Sequence, residues 1–367
     1  MSQPPTQPLP YSAAVETVEK DEAQVAEAIA ETMLGIADKT WADGGRAIRS
    51  VHAKSHGLLK AEVEVLADLP QVLAQGLFAK PGRYPAVMRF STIPGDILED
   101  SVSTPRGVSI KVLGVEGERL EGSEEAQTQD FILVNGPTFN APTPKAFLAN
   151  LKLVAATTDR AEGAKQALSG VLRKVEGLVE AFGGKSSTLT SLGGQPPSHI
   201  LGETFYTQLP LRYGDYIAKL SLAPASPELV ALKDATVDLH SDPNILRQAI
   251  LRHFAEHGGE WLLRAQLCTN LDDTPVEDAM KLWDEEKSPF VPVARITAPP
   301  QVAWSAARSE AVDDGMGFSP WKGLAAHRPL GALMRMRKLA YARSQRFRSE
   351  RNPTPVRDPV SLDAIPD

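Results

Sequence analysis

The sequence predicts an α+β fold built on one large antiparallel sheet or barrel with helices packed around it. Short apolar runs with period-two alternation fall into two groups, residues 61–135 and 216–297. Helical texture stands before, between and after those groups. Within the first group strand follows strand with no intervening helix, which argues against parallel βαβ units.

Taken in order, residues 1–12 are proline-rich and predict an unstructured arm, and the alanine-rich, breaker-free stretch from Val15 to Ala37 predicts a helix. AEVEVL (61–66), VMRFST (87–92), GVSIKV (107–112) and DFILVN (130–135) predict the first strands, each bounded by turn-forming residues. Residues 143–182 return to helical texture, and GGKSSTLTSLGGQPP (183–197) predicts a loop. YIAKLSL (216–222), WLLRAQL (261–267) and VPVARIT (291–297) form the second strand group, with helices expected at 243–257 and 275–285. Residues 298–330 hold prolines and aromatics without periodicity and predict an extended surface segment. From Ala332 to Arg348 no proline or glycine intervenes, and Leu333, Met336, Leu339 and Ala340 recur at helical spacing, so a helix closes the fold. The expected organisation is an arm and helix over 1–45, a β-domain with helical insertions over 46–300, a wrapping segment and helix over 301–350, and a tail over 351–367.

A chain of 367 residues with 42% hydrophobic content can bury a substantial core. Its 39 basic residues against 46 acidic ones, a net charge of -7, argue against general nucleic-acid or membrane-surface binding. The single Cys268 excludes an intrachain disulfide. No apolar run reaches membrane-spanning length and the first residues lack a secretory pattern, so a cytoplasmic protein is expected.

In VMRFST, alternation puts Val87, Arg89 and Ser91 on one face and Met88, Phe90 and Thr92 on the other. Either the Arg89 face is solvated or, if it points inward, Arg89 needs an anionic partner. HFAEH (253–257) fits a short zinc-peptidase expression, but histidines near a helix carboxyl end are also favoured by the helix dipole. Asn135 reads either as a turn residue before Gly136-Pro137 or as an amide donor at a strand end. Arg337 and Tyr341, four apart on the last helix, should lie against each other.

Four motifs together resemble the haem catalase family, in particular its small peroxidase-like relatives without the carboxyl-terminal flavodoxin-like domain: RSVHAK, RFSTIPGDILEDSVSTPRGVSIKV, FILVNGPTF, and the RKLAY helix followed by Arg348. Ser55, Thr104, Asn140 and Arg343 depart from the family pattern. The resemblance implies a catalase-type antiparallel barrel, haem b as cofactor, and Tyr341 as the proximal iron ligand on the carboxyl-terminal helix. It implies His52 as the distal acid–base group, oriented by Ser91, with Asn135 hydrogen-bonding peroxide. Arg49, Arg89 and Arg348 would pair with the haem propionates, Arg337 with the phenolate, Phe147 and Val51 would contact the haem, and Asp100 would line the peroxide channel.

Keeping a phenol of pKa about 10 ionised well below neutrality requires more than about 4 kcal/mol. An exposed i,i+4 pair supplies only about 0.3–0.5 kcal/mol, so Arg337 alone cannot hold Tyr341 as a phenolate and the metal would supply most of the remainder. The implied function is reduction of hydrogen peroxide or organic hydroperoxides through a ferryl oxidant, with a small-molecule electron donor as partner. The alternatives are a hydroperoxide-rearranging haem enzyme, which Val51 before His52 disfavours because that group carries threonine there, and a haem-binding sensor. No nucleic acid or membrane span is expected, and a homo-oligomer stays open.

Overall fold

The computed structural model describes residues 3–5, 7–102, 104–157 and 195–367. Nine strands occur among them: β1 (Ser55–Val65), β2 (Gly82–Thr92), β3 (Arg106–Leu113), β4 (Thr128–Val134), β5 (Phe205–Tyr206), β6 (Leu211–Tyr213), β7 (Tyr216–Pro224), β8 (Gly259–Leu267) and β9 (Val291–Ala298). Every pairing is antiparallel. The short β5 bridges β4 to β7, so β1-β2-β3-β4-β5-β7-β8-β9 closes on itself as an eight-stranded barrel, with β6 added beside β7. Closure leaves the barrel strands no open edge.

Period-two alternation decides what each strand buries. Leu59, Ala61, Val63 and Val65 of β1 and Ala86, Met88 and Phe90 of β2 enter one continuous core with Phe131, Phe205, Phe254 and Trp261. The intervening Leu58 and Val87 pack instead with Val312, Met316, Phe318 and Ile365. The Arg89 face therefore points away from the barrel core yet is not solvated, because residues 304–318 and the carboxyl terminus cover it. The segment contains a helical turn at Ala306–Ser309 and a π turn at Glu310–Asp314.

Among the described residues four longer helices surround the barrel: α1 (Glu22–Gly44), α2 (Pro144–Thr157), α3 (Ile245–Glu256) and α4 (Ala332–Arg351). Ile29, Met33 and Ile36 of α1 pack on Met336 and Ala340 of α4, the latter two being positions expected at helical spacing. Helix α1 starts later than expected because Glu16 is spent elsewhere, binding Arg335 at 2.6 Å and Arg328 at 2.9 Å. The expected unstructured arm is anchored too: Leu9 N–H donates to the Cys268 carbonyl and Tyr11 N–H to that of Asp215, both at 2.8 Å.

No helix forms over 275–285. Trp283 and Val276 are buried against Ile217 and Cys268, and Gln266 Nε2 donates to the Trp283 carbonyl at 3.1 Å, which holds the segment irregular. The helical texture expected beyond Thr157, and most of the 183–197 loop, lie outside the described residues. The last residues form no loose tail: Asp358 pairs with Lys111 at 2.9 Å and Lys322 at 2.6 Å, and Ile365 is buried. Among the described residues no helix is long and apolar enough to cross a membrane.

Candidate active site

A cavity of about 540 Å³ lies between the outer barrel wall and α4. Ile132 and Val134 of β4 and His52 before β1 line it from the barrel, Ile29 and Met33 from α1, and Met336, Arg337, Ala340 and Tyr341 from α4. Positions 333, 336, 337, 340 and 341 fall on one helical face, which is why a single helix supplies so much of the wall. A smaller space of about 50 Å³, lined again by His52 and Tyr341, reaches Arg49, Arg89 and Arg348.

His52 is held tightly. Its backbone takes φ +55, a left-handed value that costs a non-glycine residue on the order of 1 kcal/mol or more. Its N–H donates to the Ile93 carbonyl at 2.7 Å, and its own carbonyl accepts from Arg89 Nη2 at 2.8 Å. The ring Nδ1 lies 3.0 Å from Ser91 Oγ, within hydrogen-bond reach. Gly107 is required beneath it: a Cβ there would sit 2.5 Å from His52 Cε1. Burial, then the Arg89, Arg337 and Arg49 charges, push the imidazole down to about 3. At neutral pH it is uncharged.

Arg49, Arg89 and Arg348, drawn from three distant stretches, converge on the 312–316 turn. Arg89 Nε donates to Asp313 Oδ1 at 2.7 Å and Arg49 Nη1 to the same atom at 3.3 Å. Arg348 Nη1 donates to the Asp313 carbonyl at 2.5 Å, and Arg49 and Arg348 share the Met316 carbonyl. Arg46 pairs with Asp314 at 2.6 Å. Four guanidiniums thus face two carboxylates, and the Arg89 and Arg348 side chains are only 1% and 2% exposed. Burial, followed by Arg89, lowers Arg348 to about 10, and its Nε is buried without a partner among the described residues. Burial alone would raise the Asp313 carboxyl, but Arg89, Arg49 and the Ser55 and Ser309 hydroxyls hold it at about 2.

Asp313→Asn keeps the shape but removes the charge and turns N–H donors toward Arg89 and Ser55. Breaking a buried pair of this kind costs about 3–5 kcal/mol, so its urea midpoint should fall accordingly; an unchanged midpoint would contradict the charge arrangement described here.

Three expectations need correction. Arg337 does not bond Tyr341: its guanidinium stacks 5.3 Å over the Phe139 ring and contacts Met334 Sδ at 3.6 Å. A desolvated aromatic face outcompetes the weak i,i+4 contact. The Tyr341 hydroxyl has no hydrogen bond among the described residues. Asn135 lines the cavity, but its Nδ2 donates to Glu203 at 2.6 Å and Gln195 at 3.0 Å, and its Oδ1 accepts from Arg106 N–H. It is not a free donor. Asp100 lies off the cavity, buried with Lys54 at 2.8 Å and accepting the Leu246 N–H at the start of α3. Phe147 and Val51 do line the cavity, Phe147 with its ring 5.3 Å from that of Phe139. His253 bonds the Gly258 carbonyl at 2.9 Å, and no group of three or more metal-ligating side chains occurs among the described residues.

Asp313, Gly107 and Glu203 escaped the sequence reading. The arginine motifs demanded an acidic partner, but nothing in AVDDGMGF selected Asp313 from 46 acids.

Three solved structures share this architecture. A fungal catalase matches with 17% identity and a TM-score of 0.59, over 84% of this chain and 60% of its own. Catalase A from Saccharomyces cerevisiae matches with 19% identity and a TM-score of 0.61, over 89% and 66%. A bacterial catalase matches with 15% identity and a TM-score of 0.59, over 88% and 62%. The chain therefore has a catalase-like fold while spanning less than two thirds of those chains. No protein-family model and no curated protein sequence matches it.

Proposed function

We propose that this chain, with its catalase-like fold, is a haem b peroxidase that reduces hydrogen peroxide or organic hydroperoxides with electrons from a small-molecule donor. The observation that carries the proposal is that His52 and Tyr341 line one largely apolar cavity whose edge holds an excess of buried positive charge.

The residues present fit the cofactor. A porphyrin is flat, apolar and doubly anionic, and a cavity of about 540 Å³ falls within the range of cofactor sites. The two surplus guanidinium charges match two propionates, and the unpartnered Arg348 Nε offers a donor. Tyr341, free of competing hydrogen bonds among the described residues, would ligate the iron, with Val51, Phe139 and Phe147 against the ring. Bound there, haem supplies a ferric centre at which a peroxide O–O bond can cleave.

The remaining chemistry belongs to the chain. With Nδ1 donating its proton to Ser91 Oγ, Nε2 of the neutral His52 can accept a proton from one peroxide oxygen and return it to the other, so that water or an alcohol departs. Asn135 is committed to Glu203, whereas Asn140 Oδ1 is buried without a partner among the described residues and lines the same cavity as an acceptor. The apolar walls exclude bulk water and suit a hydrophobic hydroperoxide.

Titration with hemin tests the reading. The wild-type chain should take up one equivalent with a shifted Soret band, and Tyr341→Phe should bind at least tenfold more weakly with an altered band. A folded chain that takes up no hemin would overturn it.

A further inference from the structure

A second cavity, of about 430 Å³, opens beyond the arginine cluster, lined by Ser55, Arg247, Trp304 and Asp313 and sharing Arg49 with the space beside Tyr341. Unlike in the first, half of its lining residues are charged. Most of its ions are paired: Arg46 with Asp314, Arg49 with Asp313, and Lys54 with Asp100. Asp43 and Asp96 also line it.

Arg247 differs. It makes no ion pair among the described residues; Nε and Nη2 donate to the Ser55 carbonyl at 3.2 and 2.9 Å, and the guanidinium stacks 3.7 Å over the Trp304 ring. Its Nη1 donates no hydrogen bond among the described residues. A cation fixed on an indole face with a spare donor is a ready platform for an aromatic ring bearing an oxygen.

Trp304 is also wired inward. Its Nε1–H donates to Ser55 Oγ at 2.9 Å, and the Ser55 hydroxyl donates to Asp313 Oδ2 at 2.6 Å. Asp313 Oδ1 in turn accepts from Arg89 Nε at 2.7 Å. The donors converge on the Asp313 carboxylate, from the second cavity through Trp304 and Ser55 and from the edge of the first through Arg89, so one unbroken hydrogen-bonded chain joins the two cavities.

We propose that this second cavity docks the reducing co-substrate, a small phenol held by Arg247, and that Trp304 relays its electrons along the Ser55–Asp313–Arg89 chain toward the first cavity. The inference rests on the haem-peroxidase reading. Peroxide is the oxidant: ROOH and two ArOH give ROH, H₂O and two ArO radicals, each phenol losing one electron and one proton. The two electrons cross Trp304 singly, and the phenol protons leave to solvent, since Asp313 is committed to its arginines. Separation of the sites lets a donor react without entering the cavity that the cofactor would fill.

Two measurements with guaiacol test this. In the cofactor-free protein labelled with 5-fluorotryptophan, one of five tryptophan resonances disappears in Trp304→Phe and is thereby assigned. Guaiacol should shift that resonance saturably, and Arg247→Gln should weaken the effect at least fivefold. In the hemin-loaded protein, Trp304→Phe should lower kcat for guaiacol oxidation at least tenfold with KM and hemin uptake unchanged, whereas Arg247→Gln should raise KM. An unmoved Trp304 resonance, or wild-type guaiacol kinetics in both variants, would overturn the docking site. Absent hemin uptake would instead overturn the parent reading, leaving the resonance shift to decide whether a phenol binds here.

Discussion

Peroxide reduction by the hemin-loaded protein should fall by about 10²–10⁴ in His52→Ala, the range that a positioned acid–base group contributes. Hemin uptake should change little, because the proposed iron ligand and carboxylate-binding arginines belong to other segments. The size of the effect follows from how the ring is held. Ser91 Oγ fixes Nδ1 at 3.0 Å, Gly107 leaves room beneath it, and two backbone hydrogen bonds sustain φ +55. With the imidazole pushed to about 3, its protonation arm in a pH–rate profile should lie near that value, and activity from pH 5 to 8 should be flat with respect to this group. Stopped-flow peroxide consumption measures both. Retention of activity within threefold in His52→Ala would remove His52 from the chemistry.

The strands were legible because their alternation survives in the fold: the expected runs at 61–66, 87–92, 107–112 and 130–135 all fall on observed strands apart from terminal residues. The same rule paired Arg89 with Ser91 on one face but could not say what covers it. The covering segment has no periodicity of its own, and its acidic partner, Asp313, lies 224 residues from Arg89. Helix 275–285 failed for a related reason. Local texture favoured it, but Trp283 and Val276 gain more by burial against the barrel. At the candidate site, motif order pointed to His52, Ser91 and Tyr341, of which His52 and Tyr341 line one cavity and Ser91 lies beside the His52 ring, whereas Asn135 illustrates its limit. A motif names an amide but cannot reveal that Glu203 and Gln195 claim its donor, since Glu203 is 68 residues away. Arg337 shows the converse, a neighbour at ideal helical spacing drawn off by Phe139.

The cofactor-free protein should lose stability steeply between pH 6.5 and 4, before most carboxylates titrate. His52 and His327 are buried neutral. Burial sets both, pushing His52 to about 3 with help from neighbouring guanidiniums and His327 to about 4, and His199 is likewise lowered to about 4 by burial first. Unfolded, each imidazole accepts a proton near 6.5; folded, it resists. Below pH 6.5 the unfolded chain therefore binds more protons, stability falls with pH, and the loss is complete once the folded value is passed. At 1.36 kcal/mol per unit this amounts to about 5 kcal/mol for His52 and about 3 kcal/mol for His327, comparable with the whole stability of many domains. Asp313, at about 2 against 3.8, adds its own loss only between those values, while Asp100 and Asp130, raised by burial, work in the opposite direction. His327 separates this from any effect at the site, because it sits among the barrel rings of Phe78, Phe131 and Tyr213, accepting the Leu77 N–H at 2.9 Å. His327→Gln retains an acceptor and cannot titrate. Urea unfolding at a series of pH values should show its decline from pH 6.5 to 4 shallower than wild type by about 3 kcal/mol, whatever its stability at neutrality. Parallel curves would mean that His327 takes up a proton in the folded barrel as readily as in water.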